Sequence, residues 1–277
     1  MPEAGVEQLT DRLERKRLLA KARRLRVRAD GFAGDGKFRE AIECLEEVVL
    51  ICPADETAFL RIGSLYQETR KLEPSLAAMR RAIALNPFQR MAHESVIQSL
   101  IDLGRISEAI LSCTQLLAIH PASLYAREIL CMAYLQIGEV DRSLRVSAEL
   151  IRIDPHNPNH HFKSGMLFQQ KGSFAQAVKA LEIVLSMVPN RSELFREAER
   201  ALEDIDEQQM SMIMTLLSDD RMFEIKFLRS PMAVLERGFV LSRSGMNRLR
   251  TVVRSVSQER HTPQMSLIQE STTRYYN

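Results

Sequence analysis

Tryptophan is absent from this 277-residue chain, and glycine and proline are scarce, with 11 and 10 copies. Aromatic residues make up only 6%. A sheet sandwich draws on aromatic residues and on Gly- and Pro-rich turns, so this composition points to helices. No apolar run approaches the roughly 18 residues that a membrane span needs. The first thirty residues hold nine Lys or Arg and no apolar stretch of the kind a secretory leader carries. A cytoplasmic location is expected. The four cysteines, Cys44, Cys52, Cys113 and Cys131, form no C-x-x-C pair and no zinc-like spacing. Three of them fall within helical patterns, where a free cysteine behaves as a small apolar residue.

Catalytic signatures are missing too. There is no phosphate loop, no dinucleotide-binding glycine run after a strand, and no nucleophile elbow. Of the six histidines, only His156, His160 and His161 lie close together. His161 occupies a helix position that the pattern below gives to large side chains, and the other two fall in a loop. The consecutive acids Glu46 and Glu47, or Asp219 and Asp220, do not face one another on a helix. An enzyme needs a nucleophile or base with a partner. No enzymatic activity, metal, cofactor or small-molecule substrate is therefore expected.

What the chain does have is a period. Pro53, Pro87, Pro121, Pro155 and Pro189 are spaced 34 residues apart. Ala41, Ser75, Ala109, Ser143 and Ala177 repeat in phase as small residues. Phe32, Tyr66, Leu100, Tyr134 and Phe168 repeat as large ones, and Phe38, Leu72, Ile106, Val140 and Phe174 as apolar ones. Gly36, Gly104, Gly138 and Gly172 mark a turn, with Arg70 in the same place in the second copy. The physical unit is two antiparallel helices around that turn. The small residue lets the helices approach, the large one fills between them, and the proline closes the unit. One hairpin cannot bury its apolar face alone, so copies must stack.

This pattern resembles the tetratricopeptide repeat. The fifth copy carries it most fully, with Gly165, Phe168, Gly172, Phe174, Ala177, Leu181 and Pro189 in the family's order. Five units are read at 22–55, 56–89, 90–123, 124–157 and 158–191. The resemblance implies an all-α fold, a right-handed α-solenoid of about five such hairpins, closed by a capping helix and followed by a small C-terminal helical module. The first unit departs from the pattern at Arg28, where a leucine-like residue is expected.

The ends differ from the middle. The formal charge of +2 divides into +4 over residues 1–30, −8 over 31–220 and +6 over 221–277. Residues 1–21 begin a basic N-terminal helix that the pattern extends over 7–30. Residues 192–220 are expected to form the capping helix and a linker, with a methionine-rich stretch at 207–217. Residues 221–257 read as a basic helical module, with Ser230 and Pro231 opening one helix, Gly238 stopping it, and Ser244 opening another. Residues 258–277 read as a flexible tail.

In the family, the first helix of each unit lines a concave groove that holds other proteins. By repeat phase the groove residues here are Arg26, Leu60, Ser64, Met91, Glu94, Gln98, Tyr125, Glu128, Met132, Phe162 and Met166. Some members clamp an acidic peptide terminus with Lys, Asn and Arg. The corresponding positions here are Arg26, Asp30, Ser64, Glu94 and Gln98, whose two acids argue against that clamp. The apolar members of the set suit an apolar or amphipathic segment of a protein or peptide, and Glu94 and Glu128 favour a basic one. The expected role is adaptor or scaffold. The alternative is a regulator that meets nucleic acid or an anionic membrane through the basic ends.

Overall fold

The computed structural model describes residues 3–230 and 238–261, which contain thirteen helices and no strand. The chain divides into two compact units, 1–146 and 147–277.

The first unit holds α1 (Glu3–Gly34), α2 (Phe38–Ile51), α3 (Glu56–Glu68), α4 (Leu72–Leu85), α5 (Arg90–Asp102), α6 (Ile106–Ile119), α7 (Leu124–Gln136) and the start of α8 (Val140–Ile153). From α1 to α7 each helix packs on the next in the chain. The in-phase small residues explain how. Ala41, Ser75, Ala109 and Ser143 are all completely buried. Where the slot is serine, its hydroxyl cannot be left unpaired in the core. Ser75 Oγ donates to the Gly63 carbonyl at 2.8 Å, and Ser143 Oγ donates to the Cys131 carbonyl at 2.7 Å. Those acceptors share one phase, so the hydroxyl ties the second helix of a hairpin to the first.

Gly63 marks the tightest approach at a glycine of the first unit. A Cβ there would stand 2.7 Å from the Met79 side chain. The third copy places Ile97 in the Gly63 slot and Cys113 in the Met79 slot, and both are fully buried. Volume is exchanged across the hairpin, as a close-packed interior requires. Each hairpin turn has a residue with positive φ and a bond from the following N–H to the carbonyl five residues back. Lys37 N to Phe32 O, Lys71 N to Tyr66 O and Arg105 N to Leu100 O are all 2.8 Å.

The second unit contains α9 (Pro158–Gln170), α10 (Phe174–Met187), α11 (Glu193–Asp219), α12 (Arg221–Arg229) and α13 (Arg243–His261). α9 and α10 form a hairpin with the same logic: a Cβ on Gly165 would meet Leu181 at 2.9 Å. α11 packs on α10 and covers Val178, Leu181 and Val184 with Ala198, Leu202 and Ile205. The stretches 192–206 and 207–217, which differ in composition, are one helix, because neither Gly nor Pro interrupts Glu193–Asp219. Residues 221–257 build no core of their own among the described residues. Phe227 of α12 and Leu249 of α13 bury against Ile213 of α11. The last helix starts at Arg243 rather than Ser244. Ser242 accounts for this, since its Oγ accepts the Gly245 N–H at 3.1 Å. The helix opening expected at Pro231 and most of the expected tail, 262–277, lie outside the described residues.

Candidate partner-binding face

In the first unit, the first helices of successive hairpins are joined by side chains. Gln67 of α3 donates to the Ser95 carbonyl at 3.2 Å and to Ser99 Oγ at 3.1 Å, both on α5. Tyr125 of α7 donates to the Glu94 carbonyl at 3.3 Å and reaches Gln98 Oε1 at 3.4 Å. Arg61 of α3 pairs with Asp30 of α1. α1, α3, α5 and α7 are thereby linked in series. Glu94, Gln98 and Tyr125, three residues expected at the site, are brought together.

The rest of the expected set has varied placements. Met91 is 66% exposed and Met132 49% exposed. Leu60 and Glu128 are half-buried, Leu60 against the core formed by Leu76, Val96 and Leu100. Ser64 is exposed, and its hydroxyl is turned back to the Leu60 carbonyl at 3.0 Å. The Glu94 carboxylate meets Arg90 at 3.3 Å, so a cation arriving from a partner must compete with Arg90. Burial, followed by the charges of Cys113, Glu94 and Asp102, pushes the Tyr125 hydroxyl up to about 12. It is therefore a neutral donor at physiological pH. In the second unit, Phe162 packs into the core around Leu181 and Ala198, while Met166 is 41% exposed.

Arg26 is drawn away from the expected face by an acid that the sequence reading did not single out. Asp55 is buried; it accepts the Ala58 N–H at 3.2 Å and the Thr57 hydroxyl at 2.7 Å, and it pairs with Arg26. It caps α3 and anchors α1 together. The signal was present in the string Asp55-Glu56-Thr57, a cap residue just before a helical pattern.

A second buried carboxylate was also not anticipated. Asp206 of α11 is fully buried and accepts the Ser242 N–H at 2.7 Å and the Ser242 hydroxyl, with Arg248 Nη2 at 3.5 Å. Gln209, one turn on, accepts the Val240 N–H at 3.4 Å. Both polar residues interrupt the apolar stripe of Ala198, Leu202, Ile205 and Ile213. Polar residues on a buried stripe are a legible sign of a partner segment.

His161 Nε2 lies 2.9 Å from the Pro155 carbonyl, and His93, two periods earlier, repeats the bond to Pro87 at 2.9 Å. The His161 ring is thus committed to holding an inter-helix turn, and His160, expected in a loop, is buried within α9 instead. Among the described residues, no group of three or more His, Cys, Asp or Glu is placed to hold a metal ion, and no helix is long and apolar enough to cross a membrane.

A family model of the tetratricopeptide repeat matches residues 60–123, from α3 through α6. Among solved structures, a crystal structure of MamA is similar over 60% of this chain and 91% of its own, with a TM-score of 0.55 at 18% identity. MamA from Desulfovibrio magneticus RS-1, residues 41 to its end, gives 0.53 at 18% identity over 60% of this chain and 94% of that one. YrrB, described as a TPR protein with an unusual peptide-binding site, gives 0.54 at 15% identity over 64% of this chain and 90% of that one. At such identities the likeness concerns the fold. No curated protein matches the chain.

Proposed function

This chain is a tetratricopeptide-repeat protein, and on that premise we propose that it is a protein–protein interaction adaptor. It takes a peptide segment or partner helix on the face made by α3, α5 and α7. The observation that carries the reading is the exposure of Met91 on α5 and Met132 on α7, helices that the side chains of Gln67 and Tyr125 join to α3 and to each other. Apolar side chains left in water next to fixed polar groups are what a partner's apolar residues can cover. Methionine is unbranched and polarizable, so it adapts to more than one sequence. The peptide-binding site for which YrrB is described supports the same use of the fold.

The partner segment is amphipathic. Its apolar residues meet Met91, Met132 and Tyr125. Its basic residues meet Glu128 and Glu94 in competition with the partners these acids already have, Arg90 in the case of Glu94. An affinity of about 1 μM, or about −8 kcal/mol, is expected, since ordering a peptide offsets much of the contact energy. No chemical step is assigned to the chain, and its working location is the cytoplasm in this reading.

Photo-crosslinking tests it. A photoreactive amino acid placed at Met91 or Met132 is expected to capture one set of proteins in cells, and the same residue at Leu50 or Leu111 is expected to capture none of that set. Leu50 and Leu111 are also exposed, at 81% and 59%, but lie on second helices α2 and α6. Capture from the second helices alone refutes the proposal.

A further inference from the structure

α1 is 32 residues long, whereas α3, α5 and α7 have 13 each. Only its later part is needed to close the first hairpin, where Ala22, Leu25 and Ala29 form the buried stripe. At about 100° per residue, the opposite side of the helix carries Leu13, Ala20 and Val27, spaced seven apart. All three are exposed, Leu13 at 55% and Val27 at 73%. A repeat of seven keeps them nearly in line along a helix.

The flanks of this line are basic except at its C-terminal end, where Asp30, three residues beyond Val27, pairs with Arg61. Three and four residues beyond Leu13 stand Lys16 and Arg17, and three and four beyond Ala20 stand Arg23 and Arg24, all exposed. Lys21 and Arg26 lie elsewhere and are engaged by Glu47 and Asp55. Leu18 and Leu19 face another way again, into a cleft of about 470 Å³ against Ile51, Cys52 and Pro53. The outer side of α1 is therefore an apolar line between two rows of cations.

We infer that this side of α1 docks the chain on an anionic lipid bilayer. Lys16, Arg17, Arg23 and Arg24 meet the phosphate and carboxylate headgroups, and Leu13, Ala20 and Val27 enter the headgroup boundary. Attraction of the cations to anionic lipid supplies most of the binding, and the short apolar line adds to it. Charge alone would serve a nucleic acid as well. The arrangement favours the bilayer, because a phosphate backbone has no use for leucine and valine in the middle of the contact. Arg23 shares the repeat phase of Met91 and Tyr125, but none of the residues substituted below lies on α3, α5 or α7.

The test is co-sedimentation of the full chain with vesicles, either of phosphatidylcholine alone or with about one third phosphatidylserine. Binding is expected only to the anionic vesicles. Neutralising one exposed cation is worth about a five-fold change, so Arg17→Gln with Arg24→Gln is expected to weaken binding more than ten-fold. Leu13→Gln with Val27→Gln leaves the charge unaltered and is expected to weaken vesicle binding several-fold while leaving binding to a 20-base-pair DNA duplex unchanged. These four positions are exposed, and helical circular dichroism checks that each variant is folded. Equal binding to both vesicle types, no vesicle binding, or vesicle binding insensitive to the Leu13 and Val27 substitutions would each overturn the inference. Retention on the duplex without retention on vesicles would assign the surface to nucleic acid instead.

Discussion

Arg70 has φ 56°, in a turn whose four in-phase counterparts are glycines with φ between 71° and 79°. A side chain in that region crowds the following carbonyl and costs roughly 1–2 kcal/mol. Nothing lies within 4 Å of a Cβ built on Gly104, so backbone strain is the whole effect of a substitution there. Gly104→Ala is expected to destabilise by about 1 kcal/mol, and Arg70→Gly to stabilise by somewhat less, because glycine also loosens the unfolded chain. Urea midpoints moving in those opposite directions at constant slope would bear this out; equal or reversed shifts would not. Asp55 makes a second residue-level case. Burial raises its pKa, but the hydrogen bonds from Thr57, Ala58 and Arg26 outweigh burial and bring it below the ordinary value of 3.8. A carboxyl depressed in the folded state contributes stability that is present above its unfolded pKa and is lost as pH falls through the folded one. The stability difference between the native chain and Asp55→Asn is therefore expected to be full at neutral pH and to shrink below 3.8. A difference that grew on acidification would show that Arg26 and Asp55 do not act as a pair.

The elements that repeat were legible because five copies vote on each position. The slots of Ala41 and Phe32, the turn glycines and the spacing prolines all reflect one hairpin, and chance variation in a single copy, such as Arg70, does not hide it. The ends have no second copy to vote. Residues 193–219 read as two pieces because the polar face gives way to methionines, yet helix continuity depends on the absence of breakers rather than on composition. The dependence of α13 on α11 was the hardest to see, since Asp206 and Ser242 are 36 residues apart. Gly245 completes that junction: a Cβ there would stand 2.3 Å from the Asp206 carboxylate. Gly245→Ala is therefore expected to push α13 off α11, at a cost of about 1–3 kcal/mol typical of overpacking. In amide hydrogen exchange the variant should lose protection over 243–251 while α3 to α6 keep theirs. Unchanged protection in α13 would mean that Asp206 does not hold it.

For the molecule as a whole, the formal charge divides as +4, −8 and +6 along the chain. The basic side of α1 carries cations around a thin apolar line. The face of α3, α5 and α7 carries exposed methionines among half-buried polar groups. Of the eleven residues read from the sequence as partner-binding, the phase argument could place each on a first helix, but it could not see side-chain commitments. Arg26 is taken by Asp55, Ser64 by its own helix and Phe162 by the core around Leu181. Met91 and Met132 are exposed and take part in no such bond, which makes them the discriminating positions. The direct measurement is a calorimetric titration of the crosslinked partner's segment into three forms of the full chain: native, Met91→Ser with Met132→Ser, and Leu50→Ser with Leu111→Ser. The first pair is expected to weaken binding about ten-fold or more, about 1.4 kcal/mol, and the second pair to leave it within about two-fold. The reverse order, or equal losses in both pairs, would contradict the proposal.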